Sequence, residues 1–498
     1  MFAGELAVRR SRTRSSKRVS TGLSERSRQM KHGRTRAVKV AFLLALTVTL
    51  SACQADWAQW GHGTEKQGWS GSEFQVGPNN VAGLQHKWSV DLGAYINASP
   101  IVATDIDVNG TATDLIYVGT EHGVFFAINP AGQVVWFRNL GNQYHPCPDT
   151  PDNTFGISAS ALFDRARNAV YVMGGDGSVY GLDPATGATL TGWPVQITTL
   201  PATEVIFSAP TLAGNHLYFE ISSRCDLAPY HGRVVDINPD TQSIANTWNA
   251  VPPDVSGGGI WGWGGASVDP SNGDVFVATG NTLGNPENGY YGEALVQLSN
   301  TLQLKAFHKP AVIIRDDDFG ATPLLFQKPG CPPQLAVYQK NGSFFLYDRA
   351  SIASGPRQLV PLVDPPDPVT GPHEPGLLGV PLYYPKTQMV YALTPRAKVD
   401  GSFGHGLVAF TLDADCKLQL AWQTPLATSI AVTASIANDV VYVTGGFGGK
   451  VYAVNAITGQ LLWDSGTSAP GPILAAPVIV RGQLYAGGYD MHLHAWGL

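Results

Sequence analysis

The chain has 498 residues, 44 % of them hydrophobic and 14 % charged, with 56 Gly and 35 Pro. That composition excludes a disordered chain, and its Val, Tyr, Trp and Thr between Gly and Pro suit short strands joined by many turns. Residues 1–52 carry twelve of the 32 Lys+Arg and two of the 38 Asp+Glu; the remainder has a formal net charge of −16, which argues against nucleic acid as a partner.

The N-terminus reads as a targeting segment. Lys31, Arg34, Arg36 and Lys39 precede an apolar run from Val40 to Leu50 that is too short for a stable membrane span. Leu50-Ser51-Ala52-Cys53 follows and resembles a bacterial lipobox, which implies acylation of Cys53. Residues 1–29 precede Met30, which reads as the true start. The expected organisation is an extension and lipoprotein signal peptide over 1–52, a lipidated N-terminus and closure segment over 53–83, and a propeller over 84–498. Membrane attachment is then by lipid anchor only, with the protein exported to the periplasmic or extracellular face.

Gln85 to Val90, ending near Trp88, looks like a fourth strand without its own repeat. A phrase then recurs: a small residue with Pro or Ser, a short apolar strand, a second strand ending in Gly, a Gly-led third strand, and a fourth holding Trp. It opens at Ser99-Pro100, Ser158, Ala209-Pro210, Ala266-Ser267, Thr322-Pro323, Val380-Pro381, Ala434-Ser435 and Ala476-Pro477. Eight starts with four period-2 strands each predict an all-β, eight-bladed β-propeller of four-stranded antiparallel blades. The last unit stops at Leu498 one strand short, so the N-terminal strand should complete the last blade and close the ring. Trp57 and Trp60 should pack near that closure, and Pro361 to Pro375 should be a surface loop.

Three segments carry a family resemblance. Gly257-Gly258-Gly259-Ile260-Trp261-Gly262-Trp263 leads through Asp269-Pro270 to Val277-Ala278-Thr279-Gly280-Asn281. Asp316-Asp317-Asp318-Phe319-Gly320 follows, then Gln339-Lys340-Asn341-Gly342. Together these resemble the PQQ-dependent (quinoprotein) alcohol and polyvinyl-alcohol dehydrogenases. The resemblance implies PQQ stacked on Trp263 or Trp261, Ca²⁺ on Asn281, Asp316 or Asp318 as the base, and Lys340 beside the quinone oxygens. An indole face suits a flat ring and an amide oxygen suits a hard cation. The family's Ca²⁺-binding Glu has no clean match; Glu220 and Asp226 stand in the right blade. Its adjacent Cys-Cys pair is missing, as is the attached haem domain of some members.

Strand parity gives an independent arrangement. Loops between second and third strands share a face with the blade-to-blade connections, so Trp263, Asn281, the Asp triplet and Lys340 should meet on one face. The same parity sorts the four cysteines after Cys53 into Cys147–Cys225 on that face and Cys331–Cys416 on the other. His122, His231 and His405 lack metal-ligand spacing. The expected function is oxidation of an alcohol or polyol, with an external electron acceptor. The alternative is a cofactor-free lipoprotein scaffold that binds envelope proteins, similar to the outer-membrane assembly lipoprotein.

Overall fold

Each repeat forms a four-stranded antiparallel sheet in the computed structural model, which describes residues 55–148, 150, 152–283, 290–311, 317–364, 379–427 and 434–498. Cys53, Asp316 and most of the Pro361–Pro375 segment lie outside the described residues. Blades 1 to 7 span 101–139, 162–196, 211–249, 267–308, 324–361, 382–425 and 434–464. Blade 8 is made of Val478–Val480, Gln483–Gly487 and His492–Gly497, completed by Gln85–Asp91. This is the all-β, eight-bladed propeller expected from the repeats. Two short 3-10 segments are the only helical elements among the described residues.

The closure is the one read from the truncated last unit. Gln85–Asp91 pairs antiparallel with His492–Gly497, with a bulge between His86 and Trp88. Gln85–Asp91 and the C-terminal strand therefore share one sheet, and Gln85–Asp91 fills the outer fourth position of blade 8.

The recurring Trp and Gly explain how neighbouring blades dock. Trp88 Nε1 donates to Pro130 O at 2.8 Å, and Trp136 Nε1 donates to Pro184 O at 2.9 Å. Each indole reaches from a fourth strand to the last hairpin of the next blade. There the ring lies against a glycine with positive φ: a Cβ on Gly132 would come 2.9 Å from Trp88, and one on Gly187 would come 2.6 Å from Trp136. Gly is required twice over, by the backbone conformation and by the approach of the ring.

The N-terminal segment does more than close the ring. It winds through the hub and hydrogen-bonds to the inner strands in turn: Trp57 to Val102, Ala58 to Phe163, Thr64 to Val268, Glu65 to Leu325, Gln67 to Tyr383 and Gly68 to Ile436. Trp69–Ser70 then adds a short parallel strand to blade 7. Glu73 Oε2 accepts from Gly482 N in blade 8 at 2.8 Å. Trp57 packs with the closure cluster, as expected, but Trp60 lies at the axis among Ala209, Val380 and Ala476. The starts of three inner strands converge there, and a large indole fills the space they leave.

Candidate active site

The four strands of a blade alternate in direction, so loops two strands apart emerge together. Asn281 follows Val275–Ala278, the second strand of blade 4; Lys340 follows Gln334–Tyr338, the second strand of blade 5. Asp226 follows His216–Ile221 in blade 3. Trp261 and Trp263 lie between blades 3 and 4, and Asp318 between blades 4 and 5. All six line one cavity of about 550 Å³, with Phe207, Arg224, Cys225, Tyr230, Phe447 and Tyr489 among its other walls.

Asp318 is the centre of the polar wall. Its side chain is 7 % exposed. Oδ1 accepts from Asn281 N at 2.6 Å; Oδ2 accepts from Trp261 Nε1 at 3.0 Å and from Lys340 Nζ at 3.2 Å. Gly280 makes this approach possible, because a Cβ there would stand 3.0 Å from Asp318 Oδ2. Lys340 Nζ also lies 4.9 Å over the Trp261 ring, a cation–π arrangement that fixes the indole plane. Asn281 Nδ2 reaches Asp226 Oδ2 at 3.1 Å, and Tyr230 OH donates to Asp226 Oδ1. Asp226, Asn281 and Asp318 thus form a continuous polar chain.

Trp263 belongs to a different wall. It packs with Leu474 and Tyr489, and its ring centroid is 6.4 Å from that of Phe207. The Cys147–Cys225 disulfide stands at the cavity edge, where Pro148 and Cys225 line it. Cys331–Cys416 is the second disulfide, so both pairings follow the parity argument.

Glu220 is placed elsewhere. It sits inside the second strand of blade 3 rather than beyond its end, and its fully buried side chain takes a hydrogen bond from Ser208 and faces Lys66 of the hub segment. Burial pushes its carboxyl up to about 8 and pulls the Lys66 ammonium down to about 7, each opposed by the attraction between them. Glu220 does not line the cavity.

Two charged groups at the site carry no sequence signal, Glu293 behind the polar wall and Arg224 in the cavity. Glu293 is buried near Asp318, and its carboxyl is pushed up to about 7, first by burial and then by the charges of Asp318 and Asp317. Arg224 lines the wall beside the disulfide. Neither lies in a motif; only the register between blades brings them in.

Among the described residues no group of three or more His, Cys, Asp or Glu side chains stands together for a metal. The donors here are instead two carboxylates and one amide, an all-oxygen set that matches Ca²⁺ in hardness. The cavity volume lies in the ordinary range for a small-molecule site. Two indoles and Cys225 of a disulfide line it, groups suited to contact with a planar ring. The residues present therefore fit both PQQ and Ca²⁺.

Known proteins give a consistent fold. The quinohemoprotein alcohol dehydrogenase from Comamonas testosteroni superposes with a TM-score of 0.67 at 17 % identity, covering 89 % of this chain and 80 % of that one. A europium-containing methanol dehydrogenase superposes at 0.70 with 14 % identity, covering 89 % and 98 %. The fold is thus similar to the propellers of these two dehydrogenases. BamB from Moraxella catarrhalis is also similar, at 0.53 with 12 % identity, covering 83 % and 100 %. A family model described as outer membrane protein assembly factor BamB matches residues 397–497. Among curated proteins, none matches the chain.

Proposed function

We propose that this protein is a PQQ- and Ca²⁺-dependent dehydrogenase that oxidises an alcohol outside the cytoplasm, held to a membrane by lipid on Cys53. The observation that carries the reading is the convergence of Asp226, Asn281, Asp318 and Lys340 on one cavity walled by Trp261 and Trp263. The two disulfides suit an oxidising compartment.

In this reading Asp226, Asn281 and Asp318 hold Ca²⁺, and Trp261 and Trp263 flank the ring. Bound PQQ supplies the two-electron acceptor for the alcohol. Asp318 accepts the hydroxyl proton of the substrate. Trp261 Nε1 and Asn281 N keep its carboxylate fixed in direction, so little reorientation is needed when the proton arrives. Lys340 Nζ offsets the negative charge of the carboxylates, and Phe207 and Tyr489 exclude water.

The test is dye-linked turnover of a panel of primary, secondary and polymeric alcohols after loading with PQQ and Ca²⁺. Turnover that requires both additions supports the reading; absence of turnover with every alcohol rejects it. A second reading, a cofactor-free envelope scaffold, is favoured by the family-model match over 397–497. Pull-down of an envelope protein that survives removal of Ca²⁺ and PQQ supports that alternative.

A further inference from the structure

The cavity has a second charged wall that the proposed reaction leaves without a task. Arg224 lies in the loop after His216–Ile221 and is 7 % exposed, yet it lines the cavity. Its guanidinium carbon stands 4.3 Å over the Phe207 ring and 5.8 Å from the Phe155 centroid. Nη2 is 3.9 Å from Glu121 Oε1, and Nη1 has no hydrogen-bond partner among the described residues.

Glu121 is already engaged. Asn97 Nδ2 and Ser158 Oγ donate to its Oε1, and Gly156 N donates to Oε2 at 3.3 Å. Tyr489 OH in turn donates to Asn97 Oδ1 at 2.8 Å. These bonds engage the carboxylate, which stands 3.9 Å from Nη2, too far for a direct hydrogen bond, while the Tyr489 side chain is a hydrogen-bond partner of Arg224.

The loop that carries Arg224 is pinned as well. Cys225 is tied to Cys147, and the buried His145 ring bridges Ala202 O at 2.9 Å and Arg224 O at 3.2 Å. Arg224 is 7 % exposed and lines the cavity, so an acceptor bound there would complete the hydrogen bonding of Nη1. Lys340 and Asp318 come from blades 4 and 5, whereas the partners of Arg224 come from blades 1, 2 and 8. The two cations enter the cavity from different blades, Arg224 from blade 3 and Lys340 from blade 5.

We propose that Arg224 binds a carboxylate of the molecule that occupies this cavity. A planar guanidinium with an unpartnered Nη1 suits a carboxylate in charge and geometry, and the Phe207 ring beneath it orients the plane. Two molecules could bring that group: PQQ, which carries carboxylates on its ring, or a substrate that is a hydroxy acid. Only the first rests on the proposed function.

The test is fluorescence titration of the whole protein and of Arg224→Gln and Arg224→Lys, with four probes. PQQ is compared with its trimethyl ester, and glycolate with ethylene glycol. Near-ultraviolet circular dichroism and melting temperature check that each variant is folded. The expected result is a roughly 10- to 100-fold weaker affinity of Arg224→Gln for PQQ, for glycolate or for both. The matching uncharged probe should change by less than about twofold, and Arg224→Lys should recover part of the loss. Loss confined to PQQ assigns the cofactor carboxylate; loss confined to glycolate assigns the substrate. Glycolate dependence on Arg224 in a protein that ignores PQQ upholds the inference while the quinoprotein reading fails. Equal affinities of wild type and Arg224→Gln for both carboxylates overturn it, as does a wild type that binds neither.

Discussion

Replacing Asp318 with Asn tests the polar wall at its centre. The shape is nearly kept, and Asn Oδ1 can still accept from Asn281 N, which donates at 2.6 Å in the wild type. The other end then presents an NH₂ group to two donors, Trp261 Nε1 and Lys340 Nζ. Loss of the indole bond to a buried carboxylate costs about 1.5–3 kcal/mol. The Lys340 pair adds less, about 0.5 kcal/mol, because its side chain is 21 % exposed and water replaces part of the interaction. The sum is a destabilisation of about 2–3.5 kcal/mol, read as a lower urea midpoint. Dye-linked turnover should fall by about 10²- to 10⁴-fold, the usual contribution of a general base. A variant with unchanged midpoint and more than a tenth of wild-type turnover would refute this account of Asp318.

Other predictions follow from local features. Glu293 has a folded-state pKa raised to about 7, so its contribution is fully present below the unfolded value near 4.5 and is lost as pH rises through 7. Wild type should therefore lose about 2–3 kcal/mol relative to Glu293→Gln between pH 5 and 8; a constant gap in urea midpoint would contradict this. Gly187→Ala should cost about 2–4 kcal/mol, since its Cβ meets Trp136 at 2.6 Å and φ is +70°. Gly93→Ala, with φ +76° and open space around it, should cost only about 1–2 kcal/mol, and equal melting temperatures for the two variants would remove the docking role of Trp136. Mass spectrometry of the protein from a bacterial host should find a diacylated peptide beginning at Cys53; an unmodified peptide spanning Ala52-Cys53 would exclude the lipid anchor.

Much of the ring was legible because its signals are local. The Gly-led third strands and the period-2 strands recur within each blade, while the orphan strand at Gln85–Asp91 and the truncated unit at Leu498 point to the closure. Parity then gave both disulfides from strand counting alone. The hub segment was not legible in the same way. Residues 57–68 hydrogen-bond to inner strands of six blades, 1, 2, 4, 5, 6 and 7, so they have no period of their own. Their pattern reflects partners between 45 and 368 positions away, from Val102 beside Trp57 to Ile436 beside Gly68. The same limit applies to Glu220 and Asp226: both stand in blade 3, but strand position turns Glu220 towards Lys66 and leaves Asp226 in the cavity loop. Glu293 and Arg224 escaped notice because their roles depend on charges contributed by other blades.

The central claim is that Asp226, Asn281 and Asp318 bind Ca²⁺ beside a quinone stacked against tryptophan. Its most direct test is titration of PQQ into metal-stripped protein with and without Ca²⁺, followed by tryptophan fluorescence. The account predicts one PQQ bound per chain only when Ca²⁺ is present, with quenching that is lost in the Asp226→Ala/Asn281→Ala double variant. Absence of saturable quenching in the wild type, or quenching equal with and without Ca²⁺ and unchanged in the double variant, would contradict it.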